Sequence, residues 1–229
     1  MILTDTHTHL YSEVFDEDRK EMMQRAKTNG ISRFFIPAID SSQTSAMYQL
    51  EKEYPEEVYL MMGLHPTSVK ENFREELRQV HEEFAKRDFY AVGEIGIDLY
   101  WDKTLLDIQQ QAFREQIQLA KRKKLPIVIH CRDAFDEVFE VLESEKGEDL
   151  FGIFHCFTGN KEQAERALGF KMKLGIGGVV TFKNGGLDKF LHEIPIENIV
   201  LETDAPYLSP TPFRGKRNES SFMMETAGK

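Results

Sequence analysis

The chain has 229 residues, 41% hydrophobic and 30% charged, with a net charge of −10 and a pI near 5.3. No run of about 18 or more apolar residues occurs, which excludes a membrane-spanning helix. The acidic balance argues against a broad basic surface for gripping nucleic acid, so a phosphate-bearing partner would have to be held locally, in a cleft or at an end.

Residues 2–9 open the chain as a strand, within the stretch that carries LTDTHTHL (3–10). Side chains alternate between the faces of a strand, so Asp5, His7 and His9 share one face, with the two imidazoles about 7 Å apart. The chain starts directly on this strand. With no basic segment and apolar run before it, a cytoplasmic location is expected. Further strand-like runs follow at 33–38, 58–64, 89–95, 125–130, 150–155, 171–177 and 198–204. Most are near-continuous hydrophobic stretches, as in a parallel sheet buried on both faces.

Between them the period becomes helical. Residues 17–29 end at Gly30, a C-cap; Ser41 or Ser42 caps a helix running to Tyr54; segments 71–86 and 105–123 are amphipathic. Shorter helices are expected over 134–145, 161–168 and 185–193. Eight strands alternating with seven helices predict one domain over residues 1–229. The pattern fits a (β/α)8 barrel, although a doubly wound sheet gives the same local signals.

In such a barrel, chemistry gathers at the C-terminal ends of the strands. Those ends carry His7 and His9, Glu94, His130, His155 and Asp204, and His65 follows the third strand, so five of the seven histidines lie at strand ends. A cluster of imidazoles and carboxylates would desolvate and repel its own members without a cation, which predicts a metal site. The inventory suits two divalent ions. One would take His7, His9, Glu94 and Asp204; the other would take His130 and His155, with Glu94 bridging. Two ions so placed share a water and lower its pKa, with Glu94 and Asp204 as the catalytic carboxylates and Asp204 orienting that water or taking its proton. Imidazole donors favour zinc, manganese, iron or nickel over a pure magnesium site. No G-x-S-x-G nucleophile elbow is present.

The segments DTHTHL, GLHP (63–66), GEIGID (93–98), IHCRDA (129–134), FHCFTG (154–159) and ETDAPYL (202–208) with RGKRNE (214–219) resemble the TatD family of metal-dependent deoxyribonucleases. The resemblance implies a TIM barrel and the same six ligands, His7, His9, Glu94, His130, His155 and Asp204. It also implies hydrolysis of DNA phosphodiesters, exonucleolytic from a 3′ end and commonly supported by magnesium. The expected partner is then a DNA end, or an RNA end.

Around the ligands, Arg132 and Arg217 are the expected phosphate contacts, and Arg214 and Lys216 read more simply as a solvated loop. His65 either donates to a phosphate oxygen or caps the turn at Pro66. Tyr100 and Trp101 offer a stacking face to a base, or pack. Asp5 and Glu202, two residues before His7 and Asp204, either orient those ligands or pair with a buried cation such as Lys173 or Arg33. Cys131 and Cys156 each follow a histidine, so alternation sends them into packing, unpaired. Glycines 175, 177 and 178 lack the pattern of a phosphate loop, and no nucleotide cofactor is expected.

The tail departs from the family. A long final helix is expected after RGKRNE, but SSFMMETAGK gives at most about 15 Å of helix. A truncated or replaced last helix leaves the gap between strands eight and one uncovered and predicts an apolar strip exposed between the first and seventh helices, tending towards self-association or low stability. Two rival functions stand beside the nuclease. One is a metal-dependent ester or amide hydrolase, such as an aminoacyl-tRNA deacylase. The other is a barrel that binds metal without turnover.

Overall fold

The computed structural model describes residues 2–229, and eight short parallel strands alternate with helices along it. The strands are β1 (Leu3–Asp5), β2 (Ile31–Ile36), β3 (Val58–Leu60), β4 (Val92–Asp98), β5 (Ile127–Arg132), β6 (Gly152–Phe154), β7 (Met172–Ile176) and β8 (Ile199–Leu201). They pair in chain order, β1 to β3 in one sheet and β4 to β8 in another. Main-chain hydrogen bonds join the sheets at both seams. The Gly93 N–H donates to the Met62 carbonyl at 3.0 Å on one side, and the Thr6 N–H donates to the Leu201 carbonyl at 3.1 Å on the other. These bonds close the ring, giving a (β/α)8 barrel and not an open, doubly wound sheet. All seven residues of β4 are buried, as a strand covered on both faces requires.

The helices are α1 (Arg19–Thr28), α2 (Thr44–Glu53), α3 (Phe73–Lys86), α4 (Leu106–Lys123), α5 (Phe135–Ser144), α6 (Lys161–Gly169) and α7 (Met223–Ala227). Helix α1 stops where expected, because Gly30 takes a left-handed φ of 84° that ends the hydrogen-bond ladder. The turn that leads into α2 is capped by Asp40, whose carboxylate accepts from the Ser42 N–H at 3.0 Å; neither Ser41 nor Ser42 is the cap.

Two expectations change. Residues 185–193 form two 3-10 turns, Leu187–Lys189 and Leu191–Glu193, in place of a helix. A segment entered through the left-handed Gly186 (φ 74°) and closed by Pro195 is too short to offset the cost of nucleating an α-helix. The tail also covers more than its length suggested. A 3-10 turn, Ser220–Phe222, packs against α1, and α7 reaches β8, so that Asn218, Ser220 and Met223 are buried. All three residues of β8 nevertheless stay half-buried, and Ile2 and Ile196 beside the strand ends are 73% and 79% exposed. An apolar edge therefore persists at β8 and β1.

Candidate metal centre

The strand-end residues converge. Strand β1 ends at Asp5 and the backbone bends at Thr6 and His7, yet stays tied to the barrel: the Thr8 N–H donates to the Phe35 carbonyl and the His9 N–H to the Ala205 carbonyl. His7 and His9 thereby enter the barrel mouth, where both are buried. Glu94 sits inside β4 and is 2% exposed. Its Oε2 lies 3.1 Å from His7 Nε2 and 3.8 Å from His9 Nε2. Its Oε1 lies 2.9 Å from His130 Nδ1, 3.3 Å from His65 Nε2 and 3.7 Å from His155 Nε2. Asp204 closes the ring, with Oδ1 3.5 Å from His9 Nε2 and 3.6 Å from His155 Nε2. It occupies a left-handed backbone position (φ 58°), a strained conformation that aspartate tolerates better than most residues.

The protonation pattern follows from this crowding. Burial alone would raise the carboxyls of Glu94 and Asp204, but neighbouring histidines outweigh it and hold both below their usual range. Burial would likewise depress His155, yet Glu202, Glu94 and Asp204 lift it to about 10. A proton on His155 is thus balancing three carboxylates, a place where a divalent cation would serve the same electrostatic need. His7 is pushed the other way, lowered by burial and by His155. Both its ring nitrogens are buried without a hydrogen-bond partner. A buried imidazole with two idle nitrogens, facing carboxylates, fits a metal ligand better than a packed side chain. Candidate ligand atoms cluster within coordination reach in four overlapping groups: His7 with His9 and Glu94; His7 with His155 and Asp204; His65 with Glu94 and His130; and His155 with Cys156 and Glu202. His155 therefore gathers with His7 and Asp204 more tightly than with His130, and the two rings stack at 3.4 Å.

The supporting residues sort the open alternatives. Glu202 pairs with neither Lys173 nor Arg33. Its Oε1 accepts from the Cys156 N–H at 2.6 Å and lies 3.0 Å from His155 Nδ1, a charge contact beside that ring and not a hydrogen bond. Lys173 and Arg33 both face solvent. Gly175 makes the room, since a Cβ there would stand 2.3 Å from Glu202 Oε2. Asp5 accepts from the Thr203 N–H at 3.0 Å and from the hydroxyls of Thr203 and Ser220, each at 2.6 Å. It thus ties β1 to the loop that carries Asp204 and to the tail. Burial outweighs those bonds and raises its carboxyl to about 7. Of the two parts considered for His65, the structure contains the cap. Its Nδ1 accepts from the Thr67 N–H at 3.1 Å, capping the turn at Pro66, which leaves Nε2 carrying hydrogen towards the site.

Three positioning residues are absent from the sequence reading. Asp98, at the end of β4, lies 2.8 Å from His130 Nε2 and directs Nδ1 inward. Strand alternation from Glu94 leads to it, but the strand expected from hydrophobicity ends at residue 95, three residues before β4 does. Gln109 and Gln116 lie two turns apart on the buried face of α4. Gln109 clamps the Asp98 backbone with bonds of 2.8 and 3.1 Å, and Gln116 clamps that of Leu64, beside His65, with bonds of 2.7 and 3.2 Å.

The expected phosphate contacts divide. Arg132 ends β5 two residues beyond His130 and is exposed at the mouth. Arg217 is not gathered there. Its guanidinium makes paired bonds of 2.7 and 2.8 Å to Asp18, donates to the Val14 carbonyl, and lies 4.6 Å above the Phe15 ring. The sequence showed a cation after strand eight, but not the carboxylate that folding brings against it. Arg214 is held by its own loop through the Ser209 carbonyl and stacks on Phe182. Cys131 and Cys156 are unpaired and half-buried.

A 40% identical relative, an uncharacterized metal-dependent hydrolase (YabD) of Bacillus subtilis (strain 168), aligns over 99% of this chain and 89% of its own length. The 3′-5′ ssDNA/RNA exonuclease TatD of Pectobacterium parmentieri (strain WPP163) is 30% identical over 96% of this chain and 86% of its own. The crystal structure of YJJV, a TatD homologue from Escherichia coli K12, superposes with a TM-score of 0.91 at 30% identity, covering 99% of this chain and 88% of that one. The profile of the family described as TatD related DNase matches residues 4–229, and the chain belongs to that family of metal-dependent hydrolases.

Proposed function

We propose that this chain is a metal-dependent phosphodiesterase that removes nucleotides from the 3′ end of single-stranded DNA, with RNA as a secondary substrate. The observation that carries the reading is Glu94, one buried carboxylate whose two oxygens face different histidines: Oε2 towards His7 and His9, Oε1 towards His130 and His155. That geometry supports Glu94 as a bridge between two divalent ions. His7, His9 and Asp204 would complete one site, and His130 and His155 the other. Magnesium, manganese and zinc are the candidates. Bound there, such ions supply positive charge against phosphate oxygens and make a bound water more acidic.

The chain's own groups do the rest. Asp204 is placed to accept a proton from the attacking water, whose oxygen joins phosphorus as the ester bond to one sugar oxygen breaks. That sugar oxygen takes up a proton and leaves as an alcohol. His65 Nε2 donates to a non-bridging phosphate oxygen, and Arg132 neutralises charge at the rim. The names of the relatives and the acidic surface both favour a chain end taken into a cleft.

A 5′-labelled single strand incubated with Mg²⁺ or Mn²⁺ is expected to yield a ladder shortened from the 3′ end, and Asp204→Ala to stop it. Equal rates for the two proteins would mean that the activity is not this protein's. Hydrolysis of aminoacyl-tRNA without cleavage of either nucleic acid would favour the ester-hydrolase alternative. The half-covered edge at β8 supports weak self-association as well, and sedimentation at rising concentration tests it; a concentration-independent monomer would refute it.

A further inference from the structure

Arg132 stands just outside the ligand cluster. Its guanidinium carbon lies 3.6 Å from the centre of the Tyr100 ring and 5.7 Å from that of Trp101. The two rings meet edge to face at 4.9 Å and are 53% and 72% exposed, so core packing does not account for them. Among the described residues the Arg132 side chain has no ion pair, its contacts being with these rings, whereas Arg25, Arg87 and Arg217 are each paired with a carboxylate. In a chain of net charge −10, an unpaired arginine on two exposed aromatics is a site waiting for an anion and a flat ring.

This group is locked to the metal centre. Asp98 lies 2.8 Å from His130 Nε2 through one oxygen and accepts from the Tyr100 N–H at 3.0 Å through the other. The Leu99 N–H donates to the Arg132 carbonyl at 3.0 Å. A single carboxylate therefore fixes both the ligand and the aromatic pair, and the distance between them is set by the strand ends.

We propose that Tyr100, Trp101 and Arg132 form a subsite for one unpaired nucleotide beside the scissile phosphodiester. The base stacks on the aromatic pair, and its phosphate takes the free N–H groups of Arg132. The inference rests on the nuclease reading above. Every base has a π face, so the subsite is indifferent to sequence; a duplex buries those faces against neighbouring pairs, so the subsite selects single strands.

Trp101 is the only tryptophan, and its emission reports occupancy directly. Protein with Mg²⁺ is titrated with a thymidine pentamer protected by 3′ phosphorothioate linkages, and with the same backbone carrying abasic residues. The base-bearing strand should quench Trp101 and bind about tenfold more tightly. Trp101→Ala, followed through a label on the strand, should erase that tenfold difference. Arg132→Ala should weaken both strands and lower the salt dependence by about one phosphate contact. Equal affinity of the wild type for the two strands would overturn the subsite even if unprotected DNA is hydrolysed. Failure to bind or cleave any strand would instead remove the nuclease reading, and the subsite with it.

Discussion

Glu94 is the residue on which the centre turns, because each of its oxygens serves a different side. Glu94→Gln keeps the shape but removes the charge and one acceptor. Hydrolysis is expected to fall about a thousandfold, the several kcal/mol that metal-borne charge stabilisation supplies. Elemental analysis should show less bound metal, and an unchanged metal content would argue against the bridge. Asp98 acts one contact further out, holding His130 through Nε2. Asp98→Asn should reduce metal affinity or activity by about 10- to 100-fold without unfolding the protein, measurable by metal titration. A loss confined to thermal stability would make Asp98 structural only.

At the scale of elements, α4 does more than cover β4. Its glutamines reach through the apolar layer to hold two strand ends by main-chain bonds, a role that binary patterning does not announce. Gln109→Leu strands the N–H and carbonyl of Asp98 in a buried setting and should cost about 2–4 kcal/mol in denaturant unfolding. Activity should drop as well, because Asp98 moves. The tail has its own anchor in Ser220, which donates to Asp5. Ser220→Ala should cost about 1–3 kcal/mol and loosen the closure of β1 against β8. Hydrogen exchange at Thr203 should rise with it, and an unchanged rate there would count against the anchor.

The whole barrel is a frame that forces like and unlike charges together at one mouth, and metal should stabilise it. At about 100 times the dissociation constant, a divalent ion contributes about 2.7 kcal/mol, which for a chain of this size raises the melting temperature by about 5–10 °C. EDTA should reverse the rise, and Glu94→Gln should abolish it. A melting temperature indifferent to metal would contradict the site.

Much of this was legible in the linear order of residues. Strand–helix alternation and the placement of His7, His9, Glu94, His130, His155 and Asp204 on or just beyond the barrel strands follow from hydrophobic period and residue type, both local properties. The expected strand stops at residue 95 because Gly96 looks like a breaker, whereas a Cβ at Gly96 would stand 2.0 Å from the His130 carbonyl oxygen, so glycine permits the close β4–β5 approach. Other facts belong to the tertiary structure alone. Arg217 meets Asp18 across 199 positions, and Asp5 meets Ser220 across 215. The sequence by itself determined which chemistry is available and on which elements it sits. Only folding decided which charges neutralise one another and which stay open to a ligand, because electrostatic pairing depends on distances in space that residue spacing does not encode.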